Sequence, residues 1–227
     1  MHVRQIKRYA EALLNAKVCG VLPQGKYITF ASGLRSPVYL NNRLLLSHPT
    51  ERTFIARGMT RVVDELVAEH PQVNAVAAVE SGGTPLATLI ADSLNLPLYT
   101  VRKAEKKHGE KRRVEGGSVA GKHVIVIEDH LTTAGSALSA AGALKDEGAE
   151  VVGVSAITRY NFALPPEGKK IHELLRDHGL WMSVLVEFSD LLQEIEARGA
   201  VPEDDLQQVR AWFRDPATWH RAQSTTP

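Results

Sequence analysis

The segment that decides the fold of this chain runs from Val124 to Ser136 and reads Val-Ile-Val-Ile-Glu-Asp-His-Leu-Thr-Thr-Ala-Gly-Ser. Its first four residues are apolar and β-branched, which is typical of a buried strand. Two carboxylates, Glu128 and Asp129, end this apolar run. Small and hydroxyl residues then lead into a helical pattern that begins near Ser136. The order strand, acids, small-residue loop and helix predicts an α/β protein with a ligand site at this point.

The loop after this strand has the composition of a phosphate site. Small residues at a helix N-terminus let several backbone N–H groups converge on a phosphate, and the helix dipole adds to the attraction. Glu128 and Asp129 can bind ribose hydroxyls, or a Mg²⁺ ion that is held in the same ligand. The alternative is structural, because Asp, Ser and Thr also cap helices that bind no phosphate. We expect the complete string to bind a ribose 5-phosphate.

The composition is that of an ordinary globular protein. Of the 227 residues, 44% are hydrophobic and 23% are charged, and the net charge is +1 at pH 7. So small a net charge favours neither nucleic acid nor a membrane as a partner. No apolar run approaches the roughly 18 residues of a membrane span, and the N-terminus lacks the core of a signal peptide. A single cysteine, Cys19, which we expect to be packed and inert, fits a reducing compartment, so we expect a cytoplasmic protein.

Strands and helices alternate along the middle of the chain, which predicts a parallel sheet with helices on both faces. Ligands bind such sheets at the carboxyl ends of the strands, so the loops beginning at Glu80, Arg102 and Glu128 should lie together. We expect one domain over 1–227, with a small N-terminal part, a core at about 50–160 and a C-terminal extension at about 165–223. The predicted strands are 73–79, 98–101, 124–127, 151–157 and 181–188, and the predicted helices are 3–19, 51–69, 85–94, 136–147, one after Pro166 and two that end near Arg214.

The loop over 102–117 is long and basic. It shows no apolar periodicity and carries seven Lys or Arg residues against two Glu before Val114. Loops of such length usually act as lids or are disordered, and a charge run can also be a solvated surface or a nucleic-acid patch. A lid is favoured because the loop leaves the same sheet and ends in Gly116-Gly117, a plausible hinge. Its Arg, Lys and His side chains suit a departing pyrophosphate.

Two further segments add to the expected site. Glu80-Ser81-Gly82-Gly83 joins a strand end to a helix, and its glycines allow the backbone to approach a ligand, although such a pair is often purely structural. The turn over 32–43 contributes an aromatic ring, Tyr39, and amide side chains, but a link between two edge strands explains it equally well. His130 is expected to orient its loop rather than to do chemistry. The histidine and cysteine spacings indicate no metal site of the protein's own.

These segments, in this order, resemble the orotate phosphoribosyltransferases, which are type I phosphoribosyltransferases, from about Tyr27 to the C-terminal helices. The motif of that family for phosphoribosyl pyrophosphate (PRPP) is hydrophobic residues, two acids, two further residues and Thr-Thr-Gly-Gly-Ser, and Ala134 is the one departure. The turn over 30–39 is similar to the hood that covers the base, within an N-terminal part at about 20–45, and the stretch 43–49 also follows the family. Ala31 stands where some members carry Lys. The basic loop is similar to the family's mobile lid, with 111–113 added, and the chain is most similar to bacterial members with a C-terminal helical extension.

The resemblance implies a glycosyltransferase that converts orotate and PRPP into orotidine 5′-monophosphate and pyrophosphate in pyrimidine (UMP) biosynthesis. It implies Mg²⁺ as the cofactor, carried by PRPP rather than held directly by the protein, and a cytoplasmic homodimer with shared active sites. The implied catalytic residues are Lys106, His108 and Asp129, and the implied orotate-binding residues are Thr132, Arg159 and Tyr39. The implied PRPP-binding residues are Ser81, Gly82, Arg102, Lys103, Lys106, His108, Glu128, Asp129, His130, Leu131, Thr132, Thr133, Ala134, Gly135 and Ser136.

Two alternatives remain open at this point. One is a phosphoribosyltransferase for another base, such as a purine. The other is a regulator of the same fold that binds PRPP without turning it over. Ala134 is relevant to the regulator alternative. A methyl group is tolerated in a phosphate-binding loop only where the backbone conformation permits a Cβ atom. We therefore predict an ordinary negative φ at Ala134 and an intact phosphate site.

Overall fold

The structure is a computed structural model and describes residues 3–30, 32–103, 112–164 and 168–224. In chain order the helices are α1 (Val3–Asn15), α2 (Pro49–Glu69), α3 (Thr84–Leu94), α4 (Gly135–Asp146), α5 (Ile171–Asp177), α6 (Phe188–Arg198), α7 (Glu203–Arg214) and α8 (Pro216–Ser224), with a 3₁₀ helix at Asn42–Ser47. The strands are β1 (Cys19–Val21), β2 (Ile28–Thr29), β3 (Arg35–Ser36), β4 (Val38–Leu40), β5 (Ala75–Val79), β6 (Leu98–Val101), β7 (Val114–Glu115), β8 (His123–Leu131), β9 (Glu150–Arg159), β10 (Ala163–Leu164), β11 (Lys169–Lys170) and β12 (Trp181–Glu187).

A six-stranded sheet in the order β12-β9-β8-β5-β6-β7 forms the centre of the molecule. Its neighbours pair in parallel except β6 and β7, which are antiparallel. All five residues of β5 are buried, as are nine of the ten in β9, because helices cover the sheet. The predicted parallel sheet flanked by helices is thus confirmed.

The sheet order fixes where a ligand can bind. From β5 the chain continues through α3 to β6 on one side, whereas from β8 it continues through α4 to β9 on the other side. Right-handed crossovers that run in opposite directions place α3 and α4 on opposite faces of the sheet. The loops after β5 and β8 therefore diverge, and the crevice between them is the point where open α/β sheets bind ligands.

The first helix ends earlier than predicted, and Cys19 lies in β1. The N–H of Val18 donates to the carbonyl of Leu13 (3.0 Å), and the N–H of Lys17 donates to that of Leu14 (3.0 Å). With Lys17 at φ +56°, these bonds form a Schellman C-cap. Burial raises the pKa of the Cys19 thiol to about 12, so the thiol stays protonated near neutral pH. This agrees with an inert cysteine.

The hood precedes the sheet and is built from short antiparallel strands. β1 pairs with β4, and β2 pairs with β3 through the tight turn that follows Phe30. Gly33 in that turn has φ +86°, a backbone conformation that favours glycine. The C-terminal extension packs on the hood, since the indole N–H of Trp212 in α7 donates to the Arg35 carbonyl at 3.0 Å. The hood is thereby held between the sheet and the last helices.

Candidate phosphoribosyl-binding site

Three loops meet at the carboxyl edge of the sheet, as expected from the strand order. The N–H of Glu80 donates to the carbonyl of Val101 (3.0 Å), which joins the loop after β5 to the end of β6. The guanidinium of Arg102 lies 3.9 Å from the Glu80 carboxylate and 3.1 Å from that of Glu115. The N–H of Arg102 also donates to the Arg113 carbonyl (2.9 Å), which closes the base of the basic loop. Lys106 and His108, the two predicted catalytic cations, lie outside the described residues.

Glu128, Asp129 and His130 lie inside strand β8, which extends four residues beyond the predicted end at 127. Glu128 pairs with Ala156, and His130 pairs with Thr158 of β9, so the ladder continues through polar residues. Because side chains alternate along a strand, Glu128 and His130 share one face, and Asp129 points to the other. The two acids therefore line different parts of the crevice.

The two acids differ in environment. Glu128 is buried, and its burial together with the neighbouring Asp129 carboxyl raises the Glu128 pKa well above its ordinary range. A protonated Glu128 can donate a hydrogen bond as well as accept one, which suits a ribose hydroxyl. Asp129 is more accessible, and the Arg43 guanidinium lies 3.9 Å from its carboxylate. Glu128 can therefore act as a donor and Asp129 as an acceptor, each toward a ligand on its own side of the strand.

The loop that follows β8, residues 132–136, lines a cavity of about 170 Å³ together with Phe30 and Ser32 of the hood and with Glu128 and His130. Helix α4 begins at Gly135, so its first N–H groups have no partner within the helix and are placed at this cavity. An anion in the cavity would meet these N–H groups and the positive end of the helix dipole. The predicted residues Leu131 to Ser136 are thus all brought to one wall.

The prediction for Ala134 was wrong. Its backbone is left-handed, with φ +61° and ψ +3°, and it precedes the first residue of α4. The left-handed turn is what redirects the chain from the end of the strand into the helix, and glycine adopts it without steric cost. This explains why Gly is usual at this position of the motif. The loop nevertheless lines the cavity with Ala134 in place.

Replacing Ala134 with Gly should therefore stabilise the protein. We expect a gain of about 0.5–1 kcal/mol in the free energy of unfolding, because relief of the left-handed strain exceeds the loss of one buried methyl group. Urea unfolding measures this gain. The control is Ala137→Gly, at a buried, ordinary helical position of α4, which should destabilise by about 1 kcal/mol. Equal losses in the two variants would contradict the strain assignment.

His130 is a half-buried histidine that is neutral near pH 7. Its Nδ1 lies 2.8 Å from the hydroxyl oxygen of Thr158, its ring packs edge-on against Tyr160 at 4.7 Å, and its Nε2 has no partner among the described residues. Burial is the main cause that lowers its pKa to about 4. The bond to Thr158 fixes the ring, and the expected orienting role of His130 stays a prediction.

The state of His130 predicts a pH dependence of stability. The unfolded chain binds a proton at His130 below pH 6.5, whereas the folded chain does so only near pH 4, so stability falls as the pH drops through this window. We expect the free energy of unfolding to fall by about 2 kcal/mol more between pH 7 and 5 in the native protein than in His130→Gln. Urea unfolding at both pH values tests this. Parallel pH profiles would refute it.

The loop after β5 packs directly on β8. A Cβ atom built on Gly82 would lie 2.4 Å from the carboxyl carbon of Asp129, and one on Gly83 would lie 2.3 Å from the Ile127 carbonyl oxygen. The glycines thus let this loop approach the acid-bearing strand, which is a structural reason beyond the expected ligand contact. The peptide bond between Glu80 and Ser81 is cis. Ser81 and Gly82 border the same cavity as Asp129.

Asn42 was not singled out from the sequence as a site residue. Its side-chain amide donates to the Asp129 carbonyl (2.7 Å) and to the Thr158 hydroxyl (2.7 Å). It therefore ties the 3₁₀ helix to β8 at Asp129 and to β9 at Thr158. The one feature of the sequence that points to Asn42 is the pair of adjacent amide residues, Asn41-Asn42, before Arg43.

Two residues assigned to orotate are placed elsewhere in this structure. The Arg159 guanidinium is nearly buried and forms an ion pair with Glu187, and its Nη1 lies 3.4 Å from Nδ1 of His172. Tyr39 on β4 is 49% exposed. Neither residue lines the cavity beside the phosphate loop, whereas Thr132 does. Contacts of Arg159 and Tyr39 with a base stay predictions.

The described residues contain no group of three or more His, Cys, Asp or Glu side chains that could hold a metal ion. In the same part of the chain, no helix is long and apolar enough to span a membrane.

A mostly parallel sheet with a phosphate loop, an acid pair and a basic loop at one edge defines an enzyme class that transfers a phosphorylated ribose. The family model of the phosphoribosyl transferase domain matches residues 51–181, more than half of the chain. Relatives include the orotate phosphoribosyltransferase of Listeria monocytogenes serotype 4b, 36% identical over 94% of this chain and 97% of that protein. That of Bacteroides fragilis is 36% identical over 93% of this chain and 95% of its own length. The chain therefore belongs to the orotate phosphoribosyltransferases, which are pentosyltransferases.

Solved structures agree with this assignment. Orotate phosphoribosyltransferase from Aeropyrum pernix matches with a TM-score of 0.69 and 26% identity, covering 83% of this chain and 98% of that one. The structure of Leishmania donovani UMP synthase has a TM-score of 0.74 at 23% identity, and the match covers 91% of this chain and 42% of that one. At 23% identity, the similarity to UMP synthase supports the fold alone.

Proposed function

We propose that this chain transfers the 5-phosphoribosyl group of PRPP to orotate, giving orotidine 5′-monophosphate and pyrophosphate in UMP biosynthesis. The observation that carries the proposal is the crevice at the end of β8. There Glu128 and the phosphate loop, residues 132–136, line one cavity next to the hood, and Asp129 lines a second cavity together with Ser81 and Gly82. Ribose 5-phosphate requires this combination of donors.

The residues act by binding and positioning. The N–H groups of residues 132–136 hold the 5′-phosphate, and Glu128 and Asp129 hold the ribose hydroxyls. Breaking the C1–O bond gives the ribose oxocarbenium character, as in glycosyl transfer. No protein nucleophile is needed, since alignment of the base and neutralisation of the leaving pyrophosphate supply the rate enhancement. We assign Ser81, Gly82, Arg102 and Lys103 to the pyrophosphate side, together with Lys106 and His108 outside the described residues.

The donor set fits a Mg²⁺ ion that arrives with PRPP. The accessible Asp129 carboxylate offers hard oxygen ligands to such an ion, whereas the described residues contain no cluster of three or more acidic, His or Cys side chains. Bound Mg²⁺ would neutralise part of the pyrophosphate charge. The chain's own residues then hold the ribose and exclude water from it, which limits hydrolysis of PRPP.

The base is placed on the hood side of the cavity. Phe30 and Ser32 line the wall there, and Thr132 begins the phosphate loop below it. We assign Thr132, Tyr39 and Arg159 to orotate. For Arg159 this contact would require its guanidinium to exchange the Glu187 carboxylate for that of orotate, since the two groups are paired in the structure.

We also propose a homodimer that shares its active sites. Leu46 and Leu89 are 47% and 40% exposed, and both line an open cavity of about 200 Å³ whose other wall holds Gly82 and Asp129. Exposed leucines beside a polar site indicate a surface that a partner covers. A second subunit on this face would lie next to Ser81 and Gly82, which we assign to the pyrophosphate side. The single cysteine of the sequence, Cys19, is a free thiol, which supports a cytoplasmic location.

The test is pyrophosphate release by the purified protein with Mg²⁺ and PRPP. We expect rapid release with orotate and little with adenine, guanine or no base. Rapid release with a purine instead would assign a different base. Binding of PRPP without release under any of these conditions would assign a regulator rather than an enzyme.

A further inference from the structure

A second cavity, of about 380 Å³, adjoins the phosphate loop on the side of the C-terminal helix. The hood turn 32–34 forms one wall, Thr133 of the phosphate loop forms another, and Ala217 and Arg221 of α8 close the third. Ser32 and Thr133 border both this cavity and the one beside Glu128. Helix α8 thus faces the same loop that we assign to the 5′-phosphate.

Contacts with the hood hold helix α8 in place. Trp219 is buried and packs edge-on against Tyr27 of the hood, with ring centroids 6.4 Å apart. Helix α7 before it is tied to the hood as well, since the Gln208 side chain donates to the Leu22 carbonyl (2.7 Å) and accepts from the Gly25 N–H (3.1 Å). These contacts fix the position of α8, and with it the Arg221 backbone, relative to the phosphate loop.

The described lining of the cavity beside Glu128 lacks a cationic side chain, and Arg221 can supply one. The described part of this lining includes neutral hydroxyl and apolar side chains, Glu128 and the neutral His130, but no Lys or Arg. A phosphate monoester carries nearly two negative charges at pH 7. Among the described residues, Arg221 donates to the Thr218 hydroxyl (3.1 Å), and its charge helps to lower the pKa of Asp215, although no salt bridge within 4.0 Å joins the two side chains. Its remaining N–H groups are available for a charge-assisted, forked contact with phosphate oxygens.

We propose that Arg221 of the C-terminal helix is a substrate-positioning residue that binds the 5′-phosphate across Thr133. This inference rests on the proposed function, because it takes the ligand of the phosphate loop to be a phosphorylated ribose. It gives the C-terminal extension a role in substrate binding besides its packing on the hood. Arg221 acts on binding in the ground and transition states alike, so its loss should change affinity more than turnover.

Calorimetric titration with ribose 5-phosphate tests the proposal without turnover. We expect Arg221→Gln to weaken binding about tenfold or more, since a charge-assisted contact is lost. Arg221→Lys, which keeps the charge but not the fork, should lie between. The matched control is Arg214→Ala, at an exposed arginine that ends α7, and it should leave the affinity unchanged. Unchanged affinity in Arg221→Gln would overturn the proposal.

Steady-state kinetics distinguishes a contact of Arg221 with the 5′-phosphate of PRPP from a contact with the carboxylate of orotate. Arg221→Gln should raise the KM for PRPP about tenfold, with kcat and the KM for orotate nearly unchanged. A raised KM for orotate alone would place Arg221 at the base carboxylate and overturn the phosphate assignment. Equal losses in Arg221→Gln and Arg221→Lys with a lowered Tm would show a structural role, which also overturns it. If the native protein binds ribose 5-phosphate but turns over no orotate, the proposed function fails while the titration still decides on Arg221.

Discussion

Gly83→Ala should strongly destabilise the folded protein. The added Cβ would lie 2.3 Å from the Ile127 carbonyl oxygen and 3.1 Å from that of Val79. Both oxygens belong to backbone in the centre of the sheet, so neither can move aside as a flexible side chain would. We expect a loss of about 3 kcal/mol or more in the free energy of unfolding, a large part of the stability of a typical domain. Urea unfolding and the soluble yield measure it.

The matched control is Gly142→Ala. Gly142 lies inside α4, and a Cβ there meets nothing within 4 Å. In that helical position Ala should stabilise by about 0.5–1 kcal/mol, because Gly costs more backbone entropy than Ala. If Gly83→Ala were as stable as the native protein, the close packing of the loop after β5 against β8 would be disproved.

The sequence predicts best those strands and helices whose ends coincide with the ends of an apolar run. Strand β6 is found at both predicted ends, Leu98 and Val101. Strand β8 is longer than predicted because a run of apolar residues stops at the first acid, whereas the hydrogen-bond ladder with β9 continues to Leu131. Helix α8 was not predicted, since it is short and its buried face depends on Trp219 meeting a ring of the distant hood.

Composition and order were enough to predict that the acids and the small-residue loop after them lie at the carboxyl end of the sheet. They could not predict the left-handed backbone of Ala134, because the residue type argues against that conformation. They also could not identify Asn42, whose role arises from contacts with residues 87 and 116 positions away. Such contacts are set by the folded chain and leave no local pattern in a single sequence.

Mixing two inactive variants should restore activity if the sites are shared. A Lys106→Ala subunit keeps its phosphate loop and acids, and an Asp129→Ala subunit keeps its basic loop. The mixed dimer then has one intact site of its two, so an equal mixture that exchanges subunits freely should recover about one quarter of the native activity. Each variant alone should lose roughly a hundredfold or more in kcat, because each group acts on charge that develops in the transition state. Pyrophosphate release measures both.

The control for the mixture is a chain that carries both substitutions. Mixed with Lys106→Ala, it can form no dimer with an intact site, so activity should stay at the level of the single variants whichever subunit the loop serves. Exchange is verified with a tag on one partner. If the mixture of single variants exchanges subunits and still recovers nothing, each basic loop serves its own subunit. Recovery only with the Asp129→Ala partner would show that the loop of one chain closes over the acids of the other.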